Sequence, residues 1–124
     1  MEQRISPEQM AIYREGWRRR REQRRKLLDA RQERAWKVAQ RGAALLREQF
    51  GADRVAVFGS LLHPEQFSER SDVDLAVWGL DERLYLKALA RLLDLDPGIS
   101  VDLVEVEFAR PQLRAVIEAE GSRL

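Results

Sequence analysis

No proline interrupts residues 8 to 63, and that absence constrains the fold of this chain more than any other single feature. Ser6-Pro7-Glu8-Gln9 puts a serine at a helix N-cap, a proline at the first helical position and a glutamine where it can close a capping box. Residues 17 to 50 are rich in Arg, Glu, Gln, Leu and Ala, which lose little freedom in a helix. Helix is therefore expected from Pro7 until Gly51 stops it, with Gly16 and Gly42 as the two places where it could break. Unbroken, it would span on the order of 60 Å or more.

The apolar residues of this segment are unevenly placed. Leu28, Ala35, Ala39, Gly42, Leu46 and Phe50 recur at helical spacing and would dock on a body, whereas Arg18 through Lys26 contain no apolar side chain. The middle of the arm cannot bury itself. It stands in solvent, supported by pairs such as Glu15 with Arg19 and Glu22 with Lys26, or it lies along something acidic.

Charge divides the chain in the same way. Residues 1 to 50 carry fourteen Lys/Arg against seven Asp/Glu, and residues 51 to 124 carry eight against fourteen, although the whole chain of 124 residues has a net charge of only +1. A basic arm on an acidic body suggests two jobs, or an arm that meets an acidic partner. There is no cysteine, which excludes disulfides, thiolate metal sites and cysteine nucleophiles and fits a cytoplasmic location. The start at Met1-Glu2-Gln3-Arg4 is polar and the apolar runs are short, so neither a signal peptide nor a membrane span is expected.

The body reads as strand alternating with helix. Arg54-Val-Ala-Val-Phe58 is a β-branched run stopped by Gly59, and Asp72 through Trp78 alternates until Gly79. Asp81 can cap a helix with Tyr85, Ala88, Leu89 and Leu92 as its stripe, closing before the turn Asp96-Pro97-Gly98. Ile99 through Val106 is the third strand candidate, and Pro111 opens a last helix with Leu113, Val116 and Ile117 inward, ending at Gly121. The expected fold is α/β: a small mixed sheet of three to four strands flanked by helices, residues 42–124, behind a long basic helical arm, residues 1–41.

Within that body the acids are informative. Alternation puts Asp72 and Asp74 on one strand face, and Asp102 alternates in the same way between Val101 and Leu103. If the two strands are neighbours, three carboxylates gather beside the Gly59-Ser60 turn, which offers N–H groups and a hydroxyl to phosphate. Carboxylates so close repel one another, and a divalent cation between them offsets the repulsion. Asp-x-Asp by itself equally describes a strand start with an exposed acid. The buried character of Leu75-Ala-Val-Trp78 argues the other way, because two acids on one face of a core strand need partners.

Phe58-Gly-Ser60, Ser71-Asp-Val-Asp-Leu-Ala-Val77, Val101-Asp-Leu-Val104 and then Pro111, Leu113-Arg114, Ile117-Glu118 and Glu120-Gly121 resemble the minimal nucleotidyltransferases of the DNA polymerase β-like superfamily, the group that includes MntA-like antitoxins. The resemblance implies a nucleotidyltransferase fold and a transferase that moves a nucleoside monophosphate, usually AMP from ATP, to a hydroxyl acceptor and releases pyrophosphate. It implies that Gly59 and Ser60, with Arg70 and Ser71 beside them, hold the triphosphate, and that Asp72 and Asp74 bind Mg²⁺, two ions being usual. Asp102 would complete the metal site and help to activate the acceptor hydroxyl. In that family the acceptor of small members is a helical toxin of the HEPN class. The chain departs from the pattern between Ser60 and Asp72. Eleven residues stand there where about ten are usual, and Leu61, Leu62 and His63 replace a basic, glycine-containing stretch, leaving His63 and Arg70 as the nearest cations.

The alternatives are a nucleotidyltransferase-fold binding module that has lost transfer, or nucleic-acid binding through the arm. Arg18 to Arg21 with Arg24, Arg25 and Lys26 could neutralise phosphates, but the charges spread around the helix and glutamates interleave them. Self-association through the same helix is a further expectation. Trp17, beside the arginines on a segment with no core of its own, suits a partner surface; Trp36 and Trp78 read as packing residues.

Overall fold

The computed structural model describes residues 4–124, so the polar start at residues 1 to 3 lies outside the described residues. Helix α1, Pro7–Phe50, runs without interruption over 44 residues. Its capping box forms: the Gln9 N–H donates to Ser6 Oγ at 3.1 Å, and the Ser6 N–H donates to Gln9 Oε1 at 2.9 Å. Gly51 ends the helix in the left-handed region at φ 69°. Neither Gly16 nor Gly42 breaks it. Gly42 is instead a point of close approach, where a Cβ would lie 2.9 Å from Leu92 Cδ2 and 3.2 Å from Leu75 Cδ1.

β1 Arg54–Phe58, β2 Val73–Trp78, β3 Val101–Glu105 and β4 Ser122–Arg123 form one mixed sheet in the order β3-β2-β1-β4. β1 is antiparallel to both neighbours, and β2 is parallel to β3. β2 and β3 are shorter than the runs expected from sequence, and Asp72 falls just outside β2. Beyond Gly121, β4 pairs Arg123 with Ala56 and Ser122 with Val57, a two-residue strand that no alternation announces. Between β2 and β3, Asp81 caps a short 3₁₀ turn that leads into α2, Tyr85–Leu93.

Period-two alternation sorts the sheet into two faces. Val55, Val57, Val73, Leu75, Val77, Val101 and Leu103 form the main core with α1 and α2, where Ala35, Val38, Ala39, Leu46, Ala88 and Leu92 are buried. The second face carries Phe58, Ala76, Trp78 and Val104 and is covered at one end by α3, Pro111–Glu120, through Leu113 and Ile117. Val116, expected inward, is 44% exposed. Leu113 and Ile117, four apart, take the sheet, and Val116 lies about 100° around the helix from Ile117.

Burial along α1 starts at Ala35. Arg31 and Arg34 still reach the body through polar contacts and Leu28 is partly packed, while the turns before Leu28 stand clear of it. There the ion pair is Glu15 with Arg18, at 3.7 Å, instead of with Arg19, and no pair joins Glu22 to Lys26. Among the described residues no helix is long and apolar enough to cross a membrane.

Candidate active site

After the turn at Gly51 to Asp53, β1 ends at Phe58 beside Asp74, at the end of the sheet whose feeding turn, Asp96 to Gly98, is reached by Arg31 and Arg34 of α1. At this same end of the sheet β2 and β3 begin. The parallel register sets Asp74 against Asp102, flanked by Val73 against Val101 and Leu75 against Leu103. Residues paired across neighbouring strands point the same way, so both carboxylates lie on the α3 face, at the edge of its apolar cluster. Phe58 pairs with Asp74 from the other side. The chain then turns at Gly59, φ 78°, and a side chain there would run into the Asp74 carboxylate. The Gly-Ser turn is thus folded directly over this acid, which requires a glycine both for its dihedral and for its lack of Cβ.

Burial acts strongly on Asp74. Its carboxyl is pushed up from 3.8 to about 6, chiefly by burial and then by the negative charges of Asp102 and Asp72. Asp72 and Asp102 are themselves exposed. No Lys, Arg or His forms an ion pair with any of the three among the described residues. The acids are therefore brought to one end of the sheet and left uncompensated, although no three carboxylate or imidazole groups among the described residues close around a single point. Oxygen donors of one sign, one of them half-buried, fit a hard divalent cation such as Mg²⁺.

The segment from Gly59 to Ser71 is made of two 3₁₀ turns, Gly59–Leu62 and Pro64–Gln66, anchored by Leu61 and Phe67, both buried in the main core. The two leucines that displace cations from the motif are explained in part: Leu61 is a core residue. His63 sits 3.7 Å from Glu65, and Arg70 is exposed. Ser71 closes a turn, its Oγ accepting from the Ser68 N–H at 2.9 Å and its N–H donating to the Ser68 carbonyl at 3.1 Å. Gly59 and Ser60 are half-buried beside Asp74.

Sequence reading missed what holds β3 in place. Arg34 grips Asp96 with two bonds of 3.0 and 2.7 Å, and Arg31 Nη1 donates to the Gly98 carbonyl at 2.9 Å, so α1 pins the turn that feeds β3 and Asp102. That pairing keeps the Asp96 carboxyl below its ordinary range. The Tyr85 hydroxyl donates to the Leu103 carbonyl at 2.7 Å, next to Asp102, and its own titration is raised by burial first and by Asp102 second. Nothing local signals these contacts, because the arginine partners lie more than sixty residues away in sequence. Trp78 is covered by the Arg54 guanidinium at 3.7 Å, a stacked pair on the α3 face at the far end from the acids.

Residues 43–124 match the family model of polymerase beta nucleotidyltransferases. No curated protein matches the chain in sequence. Among solved structures, a toxin–antitoxin crystal structure with AMP-PNP is 26% identical with a TM-score of 0.55, over 64% of this chain and 66% of that one. An MntA–HpeT toxin–antitoxin mutant, 24% identical with a TM-score of 0.54 over the same shares, supports the fold alone. A structure described as a minimal nucleotidyltransferase is 30% identical over 80% of this chain and 94% of its own, with a TM-score of 0.50. The chain spans 66% of the length of the two toxin–antitoxin chains it matches. With the family model covering the whole strand-bearing body, this protein belongs to the polymerase beta nucleotidyltransferase family.

Proposed function

We propose that the body is a Mg²⁺-dependent nucleotidyltransferase that moves AMP from ATP, or a related nucleotide, to a hydroxyl of a partner protein, in the manner of MntA-type antitoxins acting on HEPN toxins. The observation that carries this reading is the register of β2 and β3, which sets Asp74 beside Asp102 with the Gly59 turn folded over Asp74. Asp72, Asp74 and Asp102 would hold the metal, and Gly59 and Ser60, with Arg70 and Ser71 at the edge, would receive the triphosphate. Bound Mg²⁺ would supply charge stabilisation for the departing pyrophosphate and favour the ionised acceptor. The acceptor oxygen would form a bond to the α-phosphorus as the bond from that phosphorus to the bridging oxygen breaks and pyrophosphate leaves, and Asp102 would take the hydroxyl proton. No covalent enzyme intermediate is required, in keeping with the absence of cysteine.

Incubation with α-labelled ATP, Mg²⁺ and the protein encoded beside this chain tests the reading. Transfer predicts a labelled partner and released pyrophosphate with the wild type and neither with Asp74→Asn. Equal background in both would overturn it. The loop favours a second reading, a binding module that no longer transfers: Leu61 is buried, the Ser71 hydroxyl serves a turn, and Arg70 is the one arginine or lysine between Ser60 and Asp72. Under that reading the partner forms a complex but never takes up label.

A further inference from the structure

Where α1 leaves the body, it makes an angle with the loop that leads from Ser60 to Asp72, and the angle holds a groove of about 530 Å³. Its apolar lining is Leu27, Leu28 and Ala30 of the helix and Phe67 of the loop, and three arginines, Arg24, Arg31 and Arg34, stand along it against one acid, Glu69. Leu27 is 72% exposed and joins neither apolar cluster among the described residues. Arg31 bonds the Gly98 carbonyl through Nη1, yet its buried Nε has no acceptor among the described residues. Arg34 is already neutralised by Asp96, but Arg24 is not paired with any acid among the described residues.

The groove is continuous with a longer stripe. Met10, Trp17, Arg21, Arg24 and Leu28 fall on the same side of the helix as Ala35, Ala39, Gly42 and Leu46, which pack on the body. The face that makes the core over the last turns of α1 is thus extended, unoccupied, past the end of the sheet that carries Asp74 and Asp102. Trp17 is 61% exposed on it. Aromatic, methionine and arginine residues on one rigid face are the composition of a protein contact.

We propose that this groove and stripe seat a helix of a partner protein, one with an aliphatic seam edged by carboxylates. Charge selects the acids: residues 14–26 hold eight Lys/Arg against two Asp/Glu. The groove selects the aliphatic seam, since its open apolar surface is Leu27 and its one aromatic, Phe67, is buried at 4% exposure, which leaves a nucleic-acid base no open π-face to stack on there. The same charge disfavours two arms lying side by side, because each would bring its own arginine run. The inference deepens the transfer reading by naming the chemistry of the acceptor protein, and it rests on that reading only for the claim that the bound protein is the acceptor.

The test is fluorescence anisotropy with the full chain. The probe is a labelled helical peptide with leucine on its seam and glutamate beside it; controls replace glutamate by lysine or leucine by serine, and a single-stranded RNA of mixed sequence is titrated in parallel. Binding of the leucine-glutamate peptide alone is expected, weakened about tenfold or more by Leu27→Ser and by Arg24→Glu, exposed substitutions whose fold is checked by melting. Asp74→Asn should leave peptide binding unchanged, which separates failure of the seat from failure of transfer. Tighter binding of RNA than of any peptide, or no loss with Leu27→Ser, would overturn the proposal. So would self-association of the wild type, seen by sedimentation and abolished by Leu27→Ser, because the occupant would then be a second copy.

Discussion

Asp74 is ionised at neutral pH only against the resistance of its surroundings. Its folded-state value of about 6 stands above the ordinary 3.8, so the folded protein binds the proton more tightly than the unfolded chain. The stability tied to this group is fully present below about 3.8 and is lost as pH rises through about 6. Water reaches part of the carboxylate, which trims the penalty above that range to about 1 kcal/mol. Asp74→Asn should accordingly melt higher than the wild type at pH above 6 and no higher at pH below 3.8, as thermal unfolding across pH will show. Millimolar Mg²⁺ should raise the melting temperature of the wild type and leave Asp74→Asn unmoved; an equal rise in both would deny a metal at this position. Gly59→Ala makes the complementary test. A methyl group there meets both a positive φ and the Asp74 carboxylate, and should cost about 1–2 kcal/mol in a denaturant melt while suppressing nucleotide binding. Glycine at 59 was legible because it stops a β-branched run. The burial of Asp74 was not, since Asp-x-Asp reads alike at an exposed strand start and in a covered one.

At the scale of elements, α1 shows what residue preference can and cannot tell. Its start, its end and its docked stripe were readable from Ser6, Gly51 and the spacing of Ala35, Ala39, Gly42 and Leu46. That Gly42 is a contact and not a break was unreadable, because the reason lies in Leu75 and Leu92 on other elements. Both leucines are fully buried, so Gly42→Leu should destabilise by about 1–3 kcal/mol through overpacking. Gly42→Ala should stay within about 1 kcal/mol of the wild type, because better helix propensity offsets a small shift of the Leu92 tip. Equal midpoints for the leucine variant and the wild type in urea would show that the helix does not approach the sheet so closely. β4 was hidden for a different reason. Two residues after a helix carry no period, and only the open edge of β1 recruits them.

For the whole molecule, the division between basic arm and acidic body was plain from charge, while the direction of the arm required the turn at Gly51 to Asp53. The outer part of the arm, before Leu28, has helix geometry without packing on the body, and an isolated helix exchanges its amide protons through frequent local opening. Hydrogen exchange read by mass spectrometry should find residues 7–30 exchanging orders of magnitude faster than residues 38–50 in the free protein. Protection of the first segment as strong as that of the second would mean that the arm is covered in solution. Added leucine-glutamate peptide should slow exchange across residues 20–31 if the groove is its seat.

An uninterrupted helix has no joint. Force applied near Trp17 is carried along a rod about 25 Å long before it reaches the clamped section. There Leu75, one residue from Asp74, is pressed against the bare backbone at Gly42. The free end is therefore the long side of a lever, and the short side rests on the strand that carries the half-buried Asp74.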